Sequence, residues 1–295
     1  MIKKALLIGI NYTDSPYELN GCINDVKNVH SFLTTNCKFS NENIKLLSDD
    51  NDNEVVVEKK PTRLNIENNI KWLTNNNLPG DILVFHYSGH GGNTIDKNRD
   101  ETDGKDETLI PLDFQTAGEI TDDWLFDNLI SKIPKDVSLY CFLDCCHSGT
   151  AVDLKHNYQS TCKYKKGLIT SASATAAVPT TYIKEDWTDT FSYSLERSKE
   201  ILGTTGNICL FSGCQDKETS ADAYINRSSQ GAFTFCLLET LKNNLQEDSL
   251  RFKNGTLKLR SILKEINCRL DCNGFSQNTQ ISLNRKENFE TTLNL

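Results

Sequence analysis

Two stretches of the chain end in residues able to do chemistry, and they end in matching ways. HYSGHGG at 86–92 and FLDCCHSG at 142–149 both run from apolar residues into small, polar, imidazole or thiol groups. A buried parallel strand reads as a continuous hydrophobic run. In open α/β sheets, ligands bind just beyond the carboxyl ends of such strands. If the two strands are neighbours, their ends lie about 5 Å apart. His90 and a cysteine of the second loop then come within hydrogen-bond reach. A thiolate is the reactive form of cysteine, and an adjacent imidazole lowers the thiol pKa and carries the proton. The glycines let backbone approach a substrate closely. The N–H groups of Gly91 and of the cysteine itself are candidates to cradle an oxyanion. The plainer reading of the first loop alone is a turn with a surface histidine. Zinc at Cys145, Cys146 and His147 is disfavoured: three adjacent residues converge poorly on one tetrahedral ion, and no second CxxC pair exists.

The elements that must carry these loops follow from hydrophobic patterning. Ala5–Asn11, Ile82–Tyr87, Val137–Leu143 and Ile208–Ser212 read as buried strands. Ile44–Leu47 reads as a short one, and 277–283 as a last edge strand. Apolar spacing predicts helices over Cys22–Thr34, Arg63–Thr74 with Thr62 as N-cap, Ile120–Leu129, and Gly231–Asn243, with a strand-helix candidate over Thr256–Leu270. Lys155–Gly167 is polar and basic, Leu168–Ala177 is a strand plus loop, and Val178–Gly206 reads as a long connection, partly helical. Strands alternating with helices give an α/β sheet covered on both faces.

Composition narrows the function classes. A chain of 295 residues, 37% hydrophobic and 24% charged, is an ordinary globular composition. The formal net charge of -8 argues against a general nucleic-acid binder, which needs a basic face. No run approaches the roughly 18 apolar residues of a membrane span, and Ala5–Ile10 is too short for a signal-peptide core. Eleven scattered cysteines form no secreted-type framework. The expectation is a reducing, intracellular, cytoplasmic setting with free thiols.

The motifs, taken in order, resemble the metacaspases, caspase-like cysteine peptidases of the caspase and legumain clan. They are GINY at 9–12, LNGCINDV at 19–26, YSGHGG at 87–92, DETLIPLDF at 106–114, DCCHSGT at 144–150, FSGCQDKETSADA at 211–223 and SQNTQISLN at 276–284. The caspase signature QAC followed by Arg, Gln or Gly is absent. The resemblance implies a caspase-like three-layer α/β/α sandwich around a mostly parallel mixed sheet. It implies one peptidase domain over 1–295, in a compact form without a prodomain. Within it are a large-subunit-like half (1–166), a connecting segment (167–206) and a small-subunit-like half (207–295).

Residue by residue, the resemblance makes Cys146 the nucleophile and His90 the general base and later the acid. Gly91 and Cys146 N–H form the oxyanion hole. Cys145 matches a variable position and His147 shapes the loop. No third catalytic member is identified. Cys22, Asp25, Ser88 and Asp144 match a pocket that takes Arg or Lys. Two carboxylates at its base suit a planar guanidinium, although Asp25 by itself reads equally as a charge on a solvated helix face.

The segment with Asp96, Asp100, Glu101, Asp103, Asp106 and Glu107 is acidic but is no EF-hand, because Glu101 stands where Gly is required. The resemblance instead assigns calcium, as an activator, to Asp106, Asp122, Asp123 and Asp153. Asp122 and Asp123 alone also fit helix N-terminal acids. The expectation is a calcium-dependent, monomeric endopeptidase acting on protein or peptide substrates after Arg or Lys. It would cut its own connecting segment, with a family link to programmed cell death, and use no organic cofactor. The alternative is a catalytically idle binding or scaffold protein on the same fold.

Overall fold

A computed structural model describes residues 1–50, 59–96, 104–145, 154–164, 187–195, 206–213, 222–225, 228–245 and 258–295. In chain order the elements are β1 (Lys3–Gly9), α1 (Cys22–Thr35), β2 (Ile44–Ser48), α2 (Arg63–Thr74), β3 (Ile82–Ser88), β4 (Gly91–Ile95) and β5 (Lys105–Leu109). Then come α3 (Phe114–Ala117), β6 (Ile120–Thr121), α4 (Asp122–Asn128), β7 (Ser138–Asp144), β8 (His156–Tyr164), β9 (Trp187–Leu195) and β10 (Asn207–Ser212). The last are β11 (Asp222–Ile225), β12 (Ser228–Gly231), α5 (Ala232–Leu245), α6 (Leu259–Cys272) and β13 (Gln280–Leu283).

The central sheet has eight strands in the order β2-β1-β3-β7-β10-β13-β8-β9. The first five are mutually parallel. The remaining pairings, β10–β13, β13–β8 and β8–β9, are antiparallel. Every residue of β3 is buried, and β1 and β7 are buried after their first residues. That pattern requires cover on both faces. Successive side chains supply it by alternating between two cores. Ala5, Leu7, Val84, Phe142 and Phe211 pack with α1, α5 and α6. Leu6, Ile8, Phe85, Leu143 and Leu210 pack with α2 and α4. The result is the three-layer α/β/α sandwich.

Local chemistry sets the helix starts. Thr62 accepts from Asn65 N–H at 3.3 Å and Thr121 from Trp124 N–H at 3.2 Å, each satisfying an N–H that the helix leaves open.

The structure differs from the sequence reading in several places, among them the polar stretch 155–167, which carries β8. Segment 277–283 is not an edge: β13 lies between β10 and β8. The connection over 178–206 contains the outermost strand, β9, paired with β8 over nine residues each. β9 is rich in Thr, Ser and aromatics and is mostly exposed from Thr190 onward, so it carries no hydrophobic period. The acidic stretch after Asn93 carries parts of β4 and β5, which with β6 form a three-stranded antiparallel sheet. Finally, not all thiols are free: Cys162 on β8 and Cys268 on α6 form a disulfide, with Cα atoms 5.0 Å apart. Cysteine spacing carries no information about that pairing, which depends on α6 packing across β8. Among the described residues no helix is long and apolar enough to cross a membrane.

Candidate active site

β3 and β7 are neighbours, in register from Ile82↔Ser138 to Ser88↔Asp144. The two motif loops therefore leave the sheet side by side. Gly89 N–H donates to the Asp144 carbonyl at 3.3 Å. His90 follows, and two buried tyrosines grip its backbone. Its N–H donates to the Tyr12 hydroxyl at 3.0 Å, and its carbonyl accepts from the Tyr87 hydroxyl at 2.7 Å. The Tyr12 hydroxyl donates to the Ile110 carbonyl at 2.6 Å, and the two phenol oxygens lie 3.1 Å apart. Burial pushes both phenols well above their usual range, so they remain neutral hydrogen-bonding groups.

The His90 ring is oriented by backbone. Nε2 lies 2.8 Å from the Tyr17 carbonyl oxygen. A carbonyl only accepts, so Nε2 carries the proton. In the neutral ring Nδ1 then holds the lone pair and is the basic atom. The Tyr12 ring stands beside the imidazole, centroids 4.8 Å apart. The sequence reading named no partner for the His90 ring, and in the structure that partner is a main-chain oxygen. Its side-chain identity is irrelevant, so no motif reports it.

Cys145 is buried among Leu143, Leu139 and their neighbours in the core beneath the loop, which fits a supporting role. Cys146, His147 and Asp153 lie outside the described residues. Gly91 opens β4 opposite Leu109; the oxyanion-hole expectation also requires Cys146 and so extends beyond what is described.

Two of the four expected pocket residues, Asp25 and Ser88, are hydrogen-bonded to each other, and Asp144 lies opposite Ser88 in the strand register. Asp25 is fully buried on α1, not a solvated helix charge. Its Oδ2 accepts from the Ser88 hydroxyl at 2.7 Å, and Gly231 N–H donates to both its oxygens, at 2.9 and 3.0 Å. Asp144 Oδ2 accepts from Thr234 N–H and from the Thr234 hydroxyl, each at 2.8 Å. Buried carboxylates are tolerated when hydrogen-bonded in this way. Cys22, also buried, stands one turn before Asp25 on α1. Gly231 and Thr234 were not singled out from sequence. A threonine in the first turn of a strong helix was the available signal, but nothing local says which carboxylate it meets.

The proposed calcium ligands are placed in part. Asp106 on β5 and Asp122 at the start of α4 are buried. Asp122 Oδ2 accepts from Glu107 N–H at 2.8 Å and Oδ1 from Asp123 N–H at 2.7 Å, which brings Asp122 beside the strand bearing Asp106. Burial raises the Asp122 carboxyl above its ordinary value. An all-carboxylate set suits a hard cation such as calcium. Among the described residues, however, no group of three potential metal ligands converges, so the fit depends on Asp153 or on other oxygens.

Residues 3–155 match the family model described as metacaspase, peptidase C14 domain. The chain is 38% identical over 269 residues to Metacaspase-1 of Kluyveromyces lactis, covering 84% of this chain and 60% of that protein. It is 35% identical over 283 residues to Metacaspase-1 of Meyerozyma guilliermondii, covering 89% and 67%. It spans 57% of the Coccidioides immitis Metacaspase-1, to which it is 36% identical. Among solved structures, protein GSU0716 from Geobacter sulfurreducens superimposes with a TM-score of 0.61 at 24% identity, over 99% of this chain and 100% of that one; that likeness concerns the fold.

Proposed function

The chain belongs to the metacaspase family, and on that premise we propose that it is a calcium-dependent cysteine endopeptidase cutting after Arg or Lys. The observation that carries the reading is the setting of His90, with Nε2–H on the Tyr17 carbonyl at 2.8 Å and the backbone gripped by Tyr12 and Tyr87. Such a histidine is built to use Nδ1 as a base. An idle scaffold has no need of an imidazole fixed in one tautomer.

In the proposed reaction, His90 Nδ1 takes the Cys146 thiol proton, and the thiolate attacks the scissile carbonyl carbon. The N–H groups of Gly91 and Cys146 stabilise the resulting oxyanion. His90 returns the proton to the leaving amine as the C–N bond breaks, leaving a thioester. Water, deprotonated by His90, releases the acid and restores the thiol. Asp25 and Asp144 receive the basic side chain preceding the cut, with Ser88 and Cys22 lining the approach. Calcium, held by Asp106, Asp122, Asp123 and Asp153, would supply positive charge that binds these segments together when present.

Self-cleavage belongs to the same proposal. Of the basic residues in and near the connecting segment, Lys163 is paired in the β8–β9 ladder, so its main chain is already hydrogen-bonded within the sheet. Lys165, Lys166, Lys184, Arg197 and Lys199, outside the described residues, remain the candidates. A cytoplasmic monomer completes the reading.

Hydrolysis of fluorogenic peptides ending in Arg or Lys, with calcium and with chelator, tests it. Wild type should cleave both only with calcium, and Cys146→Ala should abolish turnover. Absence of cleavage by wild type would sink the enzyme reading. Calcium-independent cleavage would sink the metal part alone. A stable dimer in sedimentation would exclude the monomer.

A further inference from the structure

Building on the basic-substrate reading, we propose that Gly231 and Thr234, at the start of α5, are positioning residues that set the pocket's preference for arginine over lysine. Both pocket carboxylates lean on this one turn. Gly231 N–H is shared between the two oxygens of Asp25. Thr234 places two donors, its N–H and its hydroxyl, on a single oxygen of Asp144. α5 has 14 residues, so its start presents the positive end of a helix dipole to two neighbouring negative groups.

The approach is close enough to require glycine. A Cβ added at Gly231 would stand 2.1 Å from Asp144 Oδ2 and 2.7 Å from Asp25 Oδ2. Any side chain there displaces one or both carboxylates. β12, which delivers Gly231, is itself held on α1: Asn24 Nδ2 donates to the Ser229 carbonyl at 2.8 Å.

The direction of the Thr234 hydroxyl is also determined. His86, fully buried on β3, has Nε2 3.4 Å from Thr234 Oγ1. The Thr234 proton lies on Asp144, so its oxygen accepts and His86 Nε2 donates. The chain of donors runs His86 to Thr234 to Asp144, and such chains reinforce each other in a low dielectric. Its effect is to fix the plane of the Asp144 carboxylate. A guanidinium is a rigid planar fork whose paired hydrogen bonds need a fixed acceptor plane. An ammonium is a point charge with rotatable donors and tolerates a carboxylate that turns. Loosening Asp144 therefore penalises arginine more than lysine.

The test compares wild type, Thr234→Val and Thr234→Ser in the full chain, on matched fluorogenic peptides with Arg or Lys before the leaving group. Thr234→Val should raise KM for the Arg peptide about tenfold, the scale of one lost hydrogen bond to a charged group. For the Lys peptide the rise should be about threefold or less, with kcat within about twofold for both. Thr234→Ser should restore the wild-type Arg:Lys ratio. Alkylation of Cys146 by iodoacetamide, which does not use the pocket, should proceed at the wild-type rate and report an intact catalytic centre. An unchanged Arg:Lys ratio in Thr234→Val, or an equal loss in Thr234→Ser, overturns the proposal. If Thr234→Val loses alkylation too, Gly231→Ala decides: it perturbs the same carboxylates from the main chain, and an unaltered ratio there overturns the proposal. Wild type that cleaves after neither Arg nor Lys refutes the underlying reading instead, before any variant is compared.

Discussion

At the scale of single residues, His90 is held by groups that touch its main chain and one ring nitrogen, leaving the other nitrogen for chemistry. The Tyr12 hydroxyl is central because it accepts from His90 N–H and donates to the Ile110 carbonyl. Tyr12→Phe keeps the ring beside the imidazole and removes both bonds. The Ile110 carbonyl keeps the Tyr87 hydroxyl at 3.1 Å, but leaving the His90 N–H unmet costs about 1–3 kcal/mol, so kcat should fall about tenfold with KM little changed, and the unfolding midpoint should drop. Wild-type kcat in this variant would show that the grip on the backbone is dispensable. His86 gives a second residue-scale prediction. Burial pushes its pKa down to about 3, whereas the unfolded chain takes up that proton near 6.5. As pH falls below about 6.5 the unfolded state alone gains the proton, so stability is lost progressively until about pH 3. By pH 4 the loss from this group is roughly 3 kcal/mol. His86→Gln, which keeps a donor without titrating there, should flatten the decline of the urea midpoint between pH 7 and 4; an identical decline would show that other groups dominate.

At the scale of elements, the site depends on where strands stop and helices start. β3 and β7 end at the same level, and β1 ends level with them at Gly9↔Ser88. α1 and α5 begin at that level and point their first turns into the same small volume. β8 and α6 are joined at Cys162–Cys268. Cys162→Ser should lower stability by about 2–5 kcal/mol in oxidised protein, the usual range for a native disulfide, and should make little difference in reductant. Alkylation and mass spectrometry before and after reduction should show a gain of two reactive thiols in wild type alone. Equal thiol counts would mean the pair is reduced in solution.

At the scale of the whole molecule, that disulfide connects the two sides of the connecting segment, 106 residues apart in sequence. If the segment is cut between 165 and 206, the fragments should migrate together on a denaturing gel without reductant and separate with it. Separation in both conditions would exclude a covalent clasp. The fragments also share the sheet, because β7 pairs with β10 over six residue pairs. Cleavage should therefore leave a folded particle even in reductant, as size-exclusion chromatography would show.

Sequence patterning alone determined what local physics controls. Continuous apolar runs mark strands covered on both faces, Thr62 marks a helix start, and the matched loop sequences at 86–92 and 142–149 mark one end of one sheet. Family resemblance added the expected roles of His90, Asp25 and Asp144, because motif order survives where long-range contacts cannot be seen. Weakly patterned β8 and β9 escaped: β9 is an edge strand that needs no hydrophobic period, and β8 buries polar residues such as Asn157 and Ser160. What only the tertiary structure decided is partnership between residues far apart in the chain. Tyr17 lies 73 residues from the imidazole it orients, Gly231 lies 206 from Asp25, and Thr234 lies 90 from Asp144. Each of these contacts uses a main-chain atom or a common hydroxyl. Such groups occur throughout any sequence, and they acquire meaning only when the sheet brings them to a buried charge or a reactive ring.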